Sequence, residues 1–229
     1  DINDAAVFLA TLHHISRKTP AEDMPLASEA CLSGQSIIDQ LERRVAALMP
    51  YTAENPTLMK FLTQQFMPAF TKRFMAVKRQ SPDFTAELPH KNRTLVAADF
   101  GFHNTMRTLS GQLYFIDFEY FGWDDPVKLM ADFLLHPATP LSTTMRHNFY
   151  HHMLEIYGFS IAPRFALYYP LFGLRWVLIL LNDFLPERFE LKKSINPKLD
   201  WDTVKREQLA KAEAKVKAAG VLLRRWKAV

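Results

Sequence analysis

Near the middle of the chain stand three polar residues of the types and in the order that phosphoryl transfer uses: Asp99, Asn104 five positions on, and Asp117 at the end of an apolar run. Magnesium prefers hard oxygen ligands. A carboxylate at a rigid strand end, together with an amide oxygen, can therefore hold it against the phosphates of a nucleotide. The other carboxylate is then placed to accept or orient the hydroxyl proton of an acceptor. An isolated D-x-x-x-x-N pattern says little, because Asp and Asn are common in turns and at helix caps. The pattern gains meaning from its company: Asp117 follows Tyr114-Phe115-Ile116, Glu119 comes two residues later, and Gly122-Trp123-Asp124-Asp125-Pro126 comes next.

The elements that must position these residues are mostly helices. Apolar residues recur with helical spacing over residues 3–17 and from Ser33 to Leu48, with Ile37, Ile38, Leu41, Val45 and Leu48 on one face. A third helix is expected from Asn55-Pro56, a capping residue followed by a residue suited to the first turn, to about Gln80 with a kink at Pro68. These three are expected to pack as one layer. The centre reads differently, with Thr94–Ala98 and Gln112–Phe118 as two short buried strands or extended segments and a turn at Ser110-Gly111. Helical spacing then returns at Val127–His136, Ser142–Tyr157, Pro163–Phe184 and about Trp201–Leu223.

The two central segments are similar to two motifs of aminoglycoside phosphotransferases and their choline kinase-like relatives. Those families read roughly H-G-D-L-H-P-x-N, then I-D-F/W-E, then G-D-P and a nearby D-L-A. Here the corresponding residues are Asp99-Phe-Gly-Phe-His-Asn104, Ile116-Asp-Phe-Glu119, Asp125-Pro126 and Met130-Ala131-Asp132. Leu12-His13-His14 also resembles the Leu-His that ends the first helix of those proteins. Protein kinases use H-R-D-x-x-x-x-N followed by D-F-G for the same roles. The resemblance is anchored at residues 97–137. Two positions depart from it: Ala97 stands where the families have His, and the Pro after the internal His is missing, so that His103 directly precedes Asn104.

The resemblance implies a mainly α (α+β) fold, a protein-kinase-like C-terminal lobe with helices around a short β-hairpin-like catalytic centre, spanning residues 1–229 as one substrate-binding lobe. It implies Asp99 as catalytic base, Asn104 and Asp117 as ligands of Mg2+, and Glu119 as a candidate metal or substrate contact. It also implies ATP as phosphoryl donor and a small hydroxyl compound as acceptor, with an aminoglycoside, an amino alcohol and a sugar-like molecule all left open. Kinases of this group carry a nucleotide-covering loop and a phosphate-binding lysine on a β-rich N-terminal lobe. No such stretch precedes residue 3, so the chain by itself is expected to be catalytically incomplete. A non-catalytic binding or regulatory module is the competing reading.

Substrate contacts are expected among the later helices. Asp183 and Glu187 share a helical face by spacing and could meet a cationic group, while Trp176, Trp123, Tyr120 and Tyr168 could form aromatic walls. A core tryptophan and a solvated carboxylate pair are the plainer reading. Asp125 and Asp132 fit helix capping and dipole stabilisation better than metal binding. Adjacent histidines cannot converge on one ion from a helix, and His147 with His151 lacks the Glu of an H-E-x-x-H zinc site.

Composition bounds these readings. At 48% hydrophobic residues over 229 positions the chain can bury a substantial core, and 14 Pro against 7 Gly favours punctuated helices. The single cysteine, Cys31, fits a buried thiol in a reducing, cytoplasmic compartment. Net charge is +4, but from Thr203 onward eight Lys/Arg face two Asp/Glu, leaving 20 basic and 22 acidic residues in the body. A basic terminal helix, 201–229, on a mildly acidic body is the expectation. That is not the stripe of a nucleic-acid binder. The greasiest stretch, Phe165–Leu181, is interrupted by Pro170, Gly173 and Arg175 and reads as a core helix, so no membrane partner is expected.

Overall fold

Ile2, Ala5, Ala6, Leu9 and Leu12 recur on one side of the first helix, α1 (Ile2–Ser16), and all of them are buried. In this computed structural model the backbone is described for residues 1–225, with side chains to Lys217. The chain divides into two compact units, Asp1–Gly34 with Thr85–Tyr169 and Gln35–Phe84 with Pro170–Val229.

The first unit holds α1, the strands β1 (Thr94–Val96), β2 (Thr105–Arg107), β3 (Leu113–Phe115) and β4 (Gly122–Asp124), and helices α5 (Pro126–Leu135) and α6 (Thr143–Tyr157). Helices α2 (Gly34–Leu48), α3 (Pro56–Phe61) and α4 (Met67–Gln80) come between α1 and β1 in the chain. β1 pairs antiparallel with β4, and β2 pairs antiparallel with β3. Four strands in two small sheets thus replace the two strands expected. β2 and β4 are three residues each and carry no periodic signal of their own. The second apolar run is not fully buried either: Leu113 and Phe115 are half-buried while Tyr114 between them is exposed.

Gly122 makes a close approach possible in this unit. Trp123 N–H donates to the Pro25 carbonyl at 2.9 Å and Ala27 N–H to the Trp123 carbonyl at 3.0 Å, so residues 25–27 lie along β4. A Cβ at Gly122 would sit 2.5 Å from the Pro25 oxygen and 2.6 Å from the Ala27 nitrogen. Only glycine fits there without moving backbone.

α5 is buried along its whole length, as expected of a central helix. Asp125 caps it by accepting from Val127 N–H at 2.8 Å. Ser142 caps α6 by accepting from Met145 N–H at 3.1 Å, and Gly158, at φ 90°, ends it. α1 packs on α6 and β1 within the first unit, whereas α2 from Gln35 onward, α3 and α4 belong to the second, so the three helices expected as one layer fall in different units.

That second unit holds nearly all of α2, then α3 and α4, together with α8 (Pro186–Ile195) and α9 (Trp201–Arg225). α7 (Ala162–Leu180) carries the boundary between the units, at Tyr169-Pro170. α3 and α4 are joined by a π-helical segment, Leu62–Phe66, that ends two residues before Pro68. Pro68 has no N–H to offer the preceding turn, and the wider turn takes up that mismatch in place of a break. α9 docks through Trp201, stacked on Phe189 at 5.1 Å, and through Gln65, which donates to Glu213 at 3.1 Å. Residues 226–229 of the expected basic helix lie outside the described residues.

The stretch Phe159–Phe184 has the length and hydropathy to cross a membrane, but most of it is buried inside the protein, as in a core helix. The fold is mainly α with small antiparallel sheets.

Candidate functional site

Asp99 and Asn104 flank a tight segment between β1 and β2, and Asp117 follows β3. The β2–β3 register aligns Thr105 with Phe115. One step further, Ile116 N–H donates to the Asn104 carbonyl at 3.0 Å, which carries the pairing to the open end of the hairpin. Asp117 therefore leaves the hairpin beside the Asn104 segment. Its φ of 67° is left-handed, a conformation a non-glycine residue holds at a cost. Asp117 is exposed, and its carboxylate has no protein partner among the described residues.

Asn104 is tied to Asp99. Its Nδ2 donates to the Asp99 main-chain oxygen at 3.0 Å and lies 3.4 Å from Asp99 Oδ2. A carbonyl oxygen can only accept, so the amide nitrogen must face it and the amide oxygen faces away. That leaves Asn104 Oδ1 as a hard donor, the atom type magnesium takes. The Asp99 side chain is 49% exposed.

Aromatic packing fixes this loop from below. Phe100, between Asp99 and Gly101, is buried and stacks on Phe8 (5.5 Å), Phe115 (4.8 Å) and Phe133 (5.5 Å). Phe133 in turn lies 4.0 Å from Phe149. Helices α1, α5 and α6 and strand β3 are thereby all anchored to the residue next to Asp99. Such anchoring is what a preorganised site requires.

Two histidines close on Asp99. His103 Nε2 is 3.4 Å and His136 Nε2 3.7 Å from Asp99 Oδ1. The position of His103, four residues after Asp99, was open to view in the sequence. Nothing in the spacing pointed to His136, which arrives from the end of α5.

Asp124, Asp125 and Asp132 have structural partners. Lys128 is buried, with its Nζ 3.1 Å from Asp124 Oδ2 and 3.1 Å from Asp132 Oδ2. Asp124 Oδ1 accepts from Cys31 N–H at 2.9 Å and Asp125 N–H at 2.7 Å. Arg164 Nε donates to Asp125 Oδ2 at 2.7 Å. Burial pushes the Asp124 and Asp125 carboxyls above their ordinary range, with Lys128 and Arg164 respectively opposing it. Cys31 is buried, with its Sγ 3.7 Å from the Glu29 carbonyl oxygen, as a structural thiol would be.

Glu119 is at an exposed turn where Phe121 N–H donates to the Phe118 carbonyl at 3.1 Å, and its side chain has no partner among the described residues. The substrate candidates fare differently. Trp123 and Tyr168 are fully buried in the first unit, which leaves Tyr120 as its exposed aromatic candidate. Trp176, Asp183 and Glu187 belong to the second unit, where Trp176 is buried. Asp183 is buried and held by Lys192 Nζ at 2.7 Å, so its charge is already met. The shared helical face of Asp183 and Glu187 does not form. Asp183 sits in a 3-10 turn, Leu181–Phe184, and Glu187 in α8, because Pro186 starts a new helix between them. Glu187 is exposed.

In comparisons with known proteins, no family model and no curated protein matches the chain.

Proposed function

We propose that the chain is the substrate-binding lobe of an ATP-dependent phosphotransferase that moves a γ-phosphoryl group to a hydroxyl of a small molecule, in the manner of aminoglycoside and choline kinases. The observation that carries this reading is the hydrogen bond from Ile116 N–H to the Asn104 carbonyl. It draws the Asp99–Asn104 segment and Asp117 to one end of a single hairpin.

In this reading Asp99 takes or orients the acceptor's hydroxyl proton, and its exposure leaves room for the acceptor. Asn104 offers Oδ1, because Nδ2 is spent on the Asp99 carbonyl. Asp117 offers an unpaired carboxylate, and Glu119 another nearby in sequence. Asn104 and Asp117 would hold Mg2+, whose charge would offset the negative charge that develops during phosphoryl transfer. The left-handed backbone at Asp117 supports a functional role, since such strain persists where its surroundings impose it. Cytoplasmic localisation belongs to the same proposal, in keeping with a single cysteine in the sequence.

The test uses protein expressed from the complete gene, incubated with MgATP and a panel of aminoglycosides, amino alcohols and sugar alcohols, with ADP release as the readout. Turnover with at least one acceptor, abolished by Asp117→Ala, is the expected result. Absence of both MgATP binding and hydrolysis across the panel would sink the proposal.

A further inference from the structure

Asp99 Oδ1 faces two imidazoles, and the arrangement of the second determines what it can do. His136 Nδ1 accepts from Ala138 N–H at 3.2 Å. A neutral imidazole whose Nδ1 accepts must carry its proton on Nε2. Nε2 is the atom that faces Asp99 Oδ1, at 3.7 Å. The His136 ring also lies flat on the His103 ring, with centroids 3.9 Å apart and planes 5° from parallel.

Asp99, His103 and His136 have potential ligand atoms within 4.8 Å of one another, so a transition-metal site must be weighed. The ring geometry argues against it. A metal sits in the plane of each imidazole that binds it. No single ion can lie in both of two parallel, stacked planes, and a protonated Nε2 has no lone pair to give. The same geometry suits a donor that braces a carboxylate.

We propose that His136 is a positioning residue for Asp99, its Nε2–H fixed by the Ala138 N–H and its ring fixed by stacking on His103, so that the carboxylate keeps one orientation toward the acceptor hydroxyl. The catalytic consequence rests on the phosphotransferase reading, whereas the brace itself does not. The contact is longer than a hydrogen bond here, and such contacts shorten when the reacting complex assembles.

Long-range 1H–15N NMR of the histidine rings in the full chain tests the brace. His136 should appear as the Nε2–H tautomer, and its Nε2 resonance should move in Asp99→Asn. Steady-state MgATP turnover by protein from the complete gene tests the consequence. His136→Ala should lower kcat by about 10–100-fold with KM for MgATP unchanged, and His136→Gln, whose amide N–H can reach the same oxygen, should recover most of it. An Nδ1–H tautomer, an Nε2 resonance indifferent to Asp99→Asn, or wild-type kcat in His136→Ala overturns the inference. If the wild-type protein turns over no MgATP, the phosphotransferase reading fails instead, and the NMR result alone decides the brace.

Discussion

Asn104 Nδ2 donates to the main-chain oxygen of Asp99 at 3.0 Å, so the residue proposed to hold the metal also closes the loop that presents the proposed base. A hydrogen bond made and a ligand atom freed are two outcomes of one side-chain orientation. Asn104→Asp would keep a hard oxygen but set a carboxylate against that carbonyl, two acceptors with no proton between them. Turnover should fall by about 100-fold or more, the scale seen when a preorganised polar group is removed from an active site. Asn104→Asp at wild-type rate would detach the amide from both roles.

Asp117 holds a left-handed backbone at φ 67°, which costs an L-residue with a Cβ about 1 kcal/mol and glycine nothing. Asp117→Gly should therefore be more stable than Asp117→Ala by about 1 kcal/mol in urea denaturation. Equal stabilities would mean that the loop relaxes out of this conformation once the aspartate is gone.

Gly122 faces the Pro25 oxygen at a distance no Cβ tolerates, 2.5 Å. Because the obstructing atoms are all backbone of residues 25–27, Gly122→Ala is expected to destabilise by about 1–3 kcal/mol, the range for overpacking. Thermal denaturation gives the answer, and an unchanged Tm would show that residues 25–27 are not held against β4.

Lys128 serves two buried carboxylates, Asp124 and Asp132. Lys128→Met removes the shared cation and should cost about 3–5 kcal/mol. Adding Asp124→Asn and Asp132→Asn should return most of that loss. A single variant as stable as the parent would mean the cluster is solvated.

His13 sits in the last turn of α1, edge-on to Tyr157 at 4.9 Å, and its pKa is lowered first by burial and then by Arg17. With the folded value below the unfolded one, the folded state binds fewer protons. Its contribution is therefore complete above the unfolded imidazole value, about 6.5, and is lost as pH falls through the folded value. Tm should drop as pH falls from 7 to 5, and His13→Gln should flatten that part of the profile. A steeper drop in the variant would reverse the sign of the argument.

Local signals in the sequence were legible where local physics decided the outcome. The Asp125-Pro126 start of α5, the Ser142 cap of α6 and its end at Gly158 all follow from side-chain and backbone preferences within a few residues. The order Asp99, Asn104, Asp117 is read directly from the sequence, and the Ile116–Asn104 hydrogen bond sets Asn104 and Asp117 at the open end of one hairpin. β2 and β4 were not legible, because neither lies in an apolar run like those that hold β1 and β3, and each is fixed by pairing with its partner strand. α8 was missed because its charged residues leave it little amphipathic pattern, with Phe189 its one buried residue. Asp183 misled through spacing alone, since the break at Pro186 removed the helix that would have aligned it with Glu187. His136 reaches Asp99 only through the tertiary fold.

The most direct measurement is a Mn2+ titration by electron paramagnetic resonance, in the presence of ATP, on protein from the complete gene and its Asp99→Asn and Asp117→Ala variants. A base and a metal ligand separate in this experiment. Asp99→Asn should bind Mn2+–ATP like the wild type while turning over none of it, and Asp117→Ala should lose the bound-metal signal. Undiminished metal binding by Asp117→Ala would contradict a magnesium centre at the end of the β2–β3 hairpin.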